Sequence, residues 1–330
     1  MIMDSGADSG SAADGVRPRP ARIAPRGVMP VVIMPYDHNG DVHEHDFRRQ
    51  VHHMLNVGCD GVVVGQVSEV SRLTARERFR VAELLADACG SQGCAVMSTG
   101  GESIRMACEF SRQAEAAGCD ALLVMHPAMA ALDDEEMFRY FAAVTESVSV
   151  PILVHHAKSL AKRPLSIAVQ SRLLDAYGPE KIQFKPEAQP SPPRLSQLRD
   201  ATGGRARIFE GDGGMMLADT FRRGLAGVIP ATEIAEITVT IWRLLESGQE
   251  ERARPLAYQL SYLMCHMMNS IDCYLGISKH LLHRRNLIET TLIRSPLDFH
   301  VDTETLAEIE HVYDDLMERA RTALAPGEAA

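Results

Sequence analysis

The chain has 330 residues, 45% hydrophobic and 24% charged, the proportions of an ordinary globular protein. Its 34 basic and 44 acidic residues leave a formal net charge of −10, which argues against nucleic acid or an anionic membrane as the main partner, because phosphate contacts need clustered Lys and Arg. No apolar run approaches the ~20 residues of a bilayer-spanning helix, and the seven cysteines, odd in number and without a CxxC pair, read as buried free thiols of a reducing, cytoplasmic compartment.

Residues 1–26 are Ser/Gly/Ala/Asp-rich and then Arg/Pro-rich. They lack an apolar h-region and carry Asp4, Asp8 and Asp14, so they read as a disordered tail and not as a secretory signal. From there a short β-branched run, a turn and an amphipathic helix recur. Strands are expected near Val28–Ile33, Gly61–Val64, Ala95–Ser98, Ala121–Met125, Ile152–His155, Ile182–Lys185, Arg207–Glu210 and Gly227–Ile229. Between them, Thr74 and Glu77 form a capping box ahead of a helix to Cys89. Helices are also expected over Ser103–Ala117, stopped by Gly118, over Asp133–Val148, opened by acids, and over Leu165–Tyr177, ended by Gly178-Pro179. Eight strands alternating with helices imply a parallel sheet, and eight units can close into an α/β (β/α)₈ TIM barrel over residues 27–233. A doubly wound open sheet is the competing architecture. From about Ile234 the strand signal stops, and residues 234–330 read as a C-terminal helical extension, through Trp242–Leu245, Pro255–Tyr274 and Thr303–Ala323.

In the sixth strand, Ile182-Gln183-Phe184-Lys185, alternation turns Gln183 and Lys185 into the barrel if Ile182 and Phe184 face the helices. Lys185 closes the strand, and barrel enzymes carry their sites at that end. Desolvation favours a neutral amine, which is a nucleophile toward a carbonyl carbon. The iminium so formed draws electrons, which permits C–C cleavage or loss of a β-hydroxyl. The alternative for Lys185 is a buried salt bridge, with Glu187 or Glu210.

The chain resembles the dihydrodipicolinate synthase / N-acetylneuraminate lyase family of class I aldolases and dehydratases. The resemblance rests on Gly27-Val28-Met29-Pro30, Asn39-Gly40, Gly65-Gln66-Val67-Ser68-Glu69 before Leu73-Thr74, Ala117-Gly118-Cys119-Asp120-Ala121, Phe184-Lys185-Pro186-Glu187, Gly211-Asp212 and Gly224-Leu225-Ala226-Gly227. It implies a Schiff base at Lys185, a barrel with three C-terminal helices, a homo-oligomer (tetramer or dimer), and a 2-oxo acid as substrate, pyruvate being the simplest. Ser68-Glu69, where most members have Gly-Glu, and the stretch Gly276–Leu282 are similar to the L-2-keto-3-deoxyarabonate dehydratase branch.

The departures bear on substrate. The family's Gly-Thr-Thr-Gly-Glu loop, which holds the substrate carboxylate, here has no threonine. Gln66, Val67 and Ser68 would frame that group through side chain or backbone. The family's Pro-Tyr after strand 4 is replaced by Pro127-Ala128, and loss of a general acid/base typically costs ~10²–10⁴ in rate. His155, where many members have a second tyrosine, is the expected proton carrier, with His126 the other candidate. Glu210, Asp212, Thr232 and Glu233 follow the last strands and are expected to bind substrate, Thr232 and Glu233 reading its distal part. Among the acids and histidines of the barrel mouth no HxH or HExxH spacing supports a metal, and no cofactor is expected. Asp37–Asp41 lacks the twelfth-position Glu of a calcium loop and reads as a turn. The rival functional readings are a catalytically impaired family member that binds 2-oxo acids, and a metal-dependent lyase using the acids and histidines at the barrel mouth.

Overall fold

The computed structural model describes residues 22–157 and 164–323. Eight parallel strands run in chain order: β1 (Gly27–Val28), β2 (Gly61–Val64), β3 (Cys94–Ser98), β4 (Ala121–Met125), β5 (Ile152–His156), β6 (Ile182–Pro186), β7 (Phe209–Glu210) and β8 (Gly227–Val228). They pair in the order β2-β3-β4-β5-β6 and β7-β8-β1. The two arcs meet at both seams. Phe184 bridges to Ile208, and Val31 bridges to both Val63 and Ala231. The seam amides are bonded, with Val32 N–H to Val63 O at 2.9 Å and Phe184 N–H to Arg207 O at 2.9 Å. The ring is therefore closed and no strand edge is left open. The first strand is shorter than the expected Val28–Ile33 because Pro30, which has no N–H, interrupts the ladder.

The helices follow in chain order. They are α1 (Glu44–Asn56), α2 (Ala75–Cys89), α3 (Ile104–Ala117), α4 (Asp134–Glu146), α5 (Ile167–Tyr177), α6 (Ser191–Ala201), the one-turn α7 (Leu217–Thr220), α8 (Ala235–Glu246), α9 (Glu250–Met267), α10 (Ile271–Arg284) and α11 (Thr303–Ala323). Thr74 and Glu77 form the reciprocal capping box of α2, and Ser103, Asp133 and Ser166 each accept an N–H of the first turn of α3, α4 and α5. Asp37 Oδ1 accepts from Asn39 N–H at 2.8 Å and from Asp41 N–H at 3.0 Å, so that segment is a turn.

Three further particulars differ from the sequence reading. Ile23 N–H donates to Asp120 Oδ1 at 3.3 Å and Arg22 to Ser149 Oγ at 2.9 Å, so the stretch expected to be a disordered tail is already packed from Arg22. Residues 1–21 lie outside the described residues. Helix α8, placed with the extension, packs over β1 and closes the helical ring, while α9, α10 and α11 lie beyond it. The expected single helix Pro255–Tyr274 is two, because Ser270 accepts the Cys273 N–H and starts a new helix at Ile271.

Six of the seven cysteines are buried. Among the described residues no helix is long and apolar enough to cross a membrane.

Candidate active site

A cavity of about 130 Å³ opens at the C-terminal end of the strands. Its floor follows from register. In the parallel pair β5–β6, His155 lies opposite Lys185, so both side chains leave the sheet on the same face and meet: Lys185 Nζ is 3.2 Å from His155 Nε2. Glu187, two residues on, turns back over this pair. Its Oε1 forms an ion pair with Lys185 Nζ, its Oε2 is 3.1 Å from His155 Nε2, and Asp212 N–H donates to Oε1 at 3.1 Å. Lys185 and His155 are 6% and 2% exposed, so this is a water-poor cluster in which each charge depends on its partners.

The electrostatics assign protonation. Burial alone raises the Glu187 carboxyl, but Lys185, His155 and their hydrogen bonds outweigh it and hold the group ionised, well below the usual carboxylate range. Burial, and then the Lys185 charge, push His155 below the ordinary histidine value despite Glu187. His155 is therefore a neutral imidazole at neutral pH. Its Nδ1 has no partner among the described residues, and its Nε2 faces both the Lys185 amine and the Glu187 carboxylate.

The other expected residues separate into wall and support. Gln66 and Val67 line the cavity, and so does Asp212, whose Oδ2 accepts from Gln189 Nε2 at 3.2 Å. Ser68 sits behind the wall: its hydroxyl donates to Val32 O at 2.5 Å and accepts from Gly65 N–H at 3.0 Å, which pins the 3₁₀ turn Gln66–Ser68. Three residues expected to touch substrate lie off the wall altogether. Glu210 accepts from Met216 N–H at 3.1 Å and from the Thr220 hydroxyl. Thr232 donates to Val31 O at 3.0 Å, and Glu233 is buried against the Tyr274 hydroxyl at 2.8 Å. The chain after β7 and β8 turns into helix immediately, so these side chains point back under the loops and satisfy buried groups there. His126 also misses the cavity; it stacks on His156 at 5.6 Å, with Nδ1 2.8 Å from Pro127 O.

Sequence reading did not name Glu187 as a site residue, having weighed it as an ion partner of Lys185 and as one of the acids at the barrel mouth, and it did not foresee the wall contributed by the α9–α10 elbow, which includes Met268, Ser270 and Tyr274. The usable signal was Asn269-Ser270, a helix-stop and N-cap pair inside an otherwise helical pattern. Among the described residues, His43, Asp46 and Glu289 come close enough together to share a metal ion; none of the three lines this cavity.

A closed (β/α)₈ ring with a buried amine, a carboxylate and an imidazole in contact at its C-terminal mouth defines a barrel enzyme of the amine-nucleophile class. Comparison with known proteins specifies it. Residues 24–314 match the profile described as the dihydrodipicolinate synthetase family, and the chain belongs to that family. It is similar to 4-hydroxy-tetrahydrodipicolinate synthases from Methanopyrus kandleri, 28% identical over 71% of this chain and 78% of the relative. A second such synthase, from Rhizobium meliloti, is 25% identical over 86% and 96%. The solved 4-hydroxy-tetrahydrodipicolinate synthase of Methylacidiphilum fumariolicum superposes with a TM-score of 0.82 at 24% identity, covering 90% of this chain and 98% of that one. A prophage protein of the same family from E. coli K12, solved in complex with pyruvate, gives 0.78 at 20% identity over 88% and 98%. The chain is accordingly a lyase of the aldolase type.

Proposed function

We propose that this protein is a Schiff-base-forming lyase, an aldolase or dehydratase, that acts on a 2-oxo acid of the 2-keto-3-deoxy sugar acid kind. One observation carries the reading: the Lys185 amine, buried at the end of β6, faces a cavity in company with Glu187 and His155. Lys185 first passes its ammonium proton to the neutral imidazole of His155, 3.2 Å away, and Glu187 steadies the imidazolium while it lasts. The freed amine attacks the 2-oxo carbon, and a proton moves from its nitrogen to the oxygen to give the carbinolamine. His155 then returns the proton to the carbinolamine oxygen, which leaves as water and gives the iminium. Gln66 and Val67 take the substrate carboxylate through the side-chain amide and the backbone. The family resemblance further supports a homo-oligomer, a dimer or tetramer, at work in the cytoplasm; light scattering on the purified protein gives the mass of the assembly.

The test is a trap. Incubated with pyruvate and then borohydride, the protein should gain one reduced pyruvate adduct per chain, mapped to Lys185 and absent from Lys185→Ala. Folded wild-type protein that takes up no adduct from pyruvate or from any 2-keto-3-deoxy acid would sink the reading. An adduct without turnover of any hydroxylated 2-oxo acid would instead favour a binding protein.

A further inference from the structure

One polar unit on the cavity wall has no part in the chemistry above. Tyr274 stands in the first turn of α10, seated by the Ser270 cap, and lines the same cavity as Lys185, His155 and Glu187. Its hydroxyl is 2.8 Å from Glu233 Oε1. Glu233 is fully buried and is fixed from the far side by Tyr313, whose hydroxyl donates to the Glu233 carbonyl at 2.7 Å. Burial raises the Glu233 carboxyl above its ordinary value against the pull of its hydrogen bonds. Burial, and then the charges of Glu233 and Glu187, raise the Tyr274 phenol well above its own. A neutral phenol on the cavity wall thus donates to a buried carboxyl behind it, which burial makes readier to hold a proton than an exposed one.

We propose that Tyr274 is a catalytic residue that delivers a proton to the β-hydroxyl of the substrate, with Glu233 behind it as the proton store, and that the bond broken is that C–O bond. The inference rests on the imine at Lys185 and deepens it from lyase to dehydratase. With the substrate held as its iminium, His155 removes a proton from the carbon next to the iminium carbon, and the electron pair forms the enamine. The nitrogen lone pair then re-forms the iminium, the enamine pair becomes a double bond to the β-carbon, and the β C–O bond breaks. The oxygen leaves as water with the Tyr274 proton, and the Glu233 proton refills the phenol. The proton gained by His155 balances the one lost from Glu233, and no oxidant or reductant is needed. Aldol cleavage would need the reverse, a base that takes the hydroxyl proton.

The experiment compares wild type, Tyr274→Phe and Glu233→Gln in the full chain, with pyruvate, which has no β-hydroxyl, and with five- and six-carbon 2-keto-3-deoxy acids. Tyr274→Phe should keep borohydride trapping of pyruvate on Lys185 and exchange of the pyruvate methyl protons with deuterated water. Its kcat for water loss from the hydroxylated acids should fall by about 10²–10⁴. Glu233→Gln, which keeps a hydrogen bond to Tyr274 without a store, should lower kcat with little change in KM. Four outcomes would overturn the proposal: Tyr274→Phe dehydrating at the wild-type rate; Tyr274→Phe losing trapping along with turnover; wild type releasing pyruvate and an aldehyde; or wild type trapping pyruvate while dehydrating none of the acids. A wild type that traps nothing would instead overturn the Schiff-base reading on which the proposal rests.

Discussion

At Gly211 a Cβ would lie 2.0 Å from Glu187 Oε1, so the carboxylate that organises Lys185 and His155 occupies space that only a glycine leaves. The identities of Lys185, Glu187 and Gly211 are thus one arrangement, though they are spread over two strands. Glu210, one residue earlier, follows different logic. Burial pushes its carboxyl up to about 8 against the hydrogen bonds of Thr220 and Met216. Between the unfolded value near ~4.3 and about 8, the folded state holds a proton that the unfolded state has lost. The stability from this group is therefore complete below the lower value and is lost as pH rises through the window. Glu210→Gln removes the linkage. Its melting temperature should fall less than that of wild type between pH 5 and pH 8, and thermal unfolding at both pH values measures this. An equal fall in both proteins would show that Glu210 does not carry the effect.

Elements distant in sequence are tied to the carboxylate loop by a buried ion pair. Lys279 of α10 donates to Glu69 Oε1 at 2.6 Å and to Leu292 O at 2.5 Å, and Arg294 N–H donates to Glu69 Oε2 at 3.1 Å. Glu69 has a φ of 52°, a left-handed conformation that its partners must hold in place. Burial lowers the Lys279 amine to about 8 despite Glu69, so the pair is costly to bury and costly to break. Lys279→Met leaves the buried Glu69 with only the Arg294 N–H and a longer ion pair to Arg72 at 3.5 Å, which should cost about 3–5 kcal/mol. That is a loss of roughly 4–7 °C in a chain of this size, and it should raise KM for pyruvate as the Gln66–Ser68 turn loosens. Calorimetry together with adduct yield against pyruvate concentration tests this. An unchanged melting temperature would mean that the pair carries no such strap.

The extension acts as the outer wall of the site. Helix α11 packs on α8 and α9, burying Ile309, Leu316 and Met317, and Tyr313 reaches through to hold Glu233. A chain ending at residue 302 would expose this apolar face and free Glu233; it should be recovered aggregated or without a cooperative melt, as gel filtration and calorimetry would reveal. Soluble, cooperative protein from that truncation would show that the barrel stands without α11. The alternation of eight β-branched runs with capped helices made the barrel legible, because strand and helix periods and N-caps are local properties, visible in Val62-Val63-Val64 or in Thr74 with Glu77. Lys185 was legible for the same reason: its place at a strand end and its inward direction follow from alternation within one strand. The rest of the site was not. That Glu187 folds back onto Lys185, that Glu210 and Thr232 serve buried backbone and hydroxyl groups, and that the α9–α10 elbow brings Tyr274 across to Glu233 depend on which segments meet over the barrel mouth. The last of these meetings, like that of Lys279 with Glu69, is settled by packing between residues 41 and 210 positions apart, which no local period encodes.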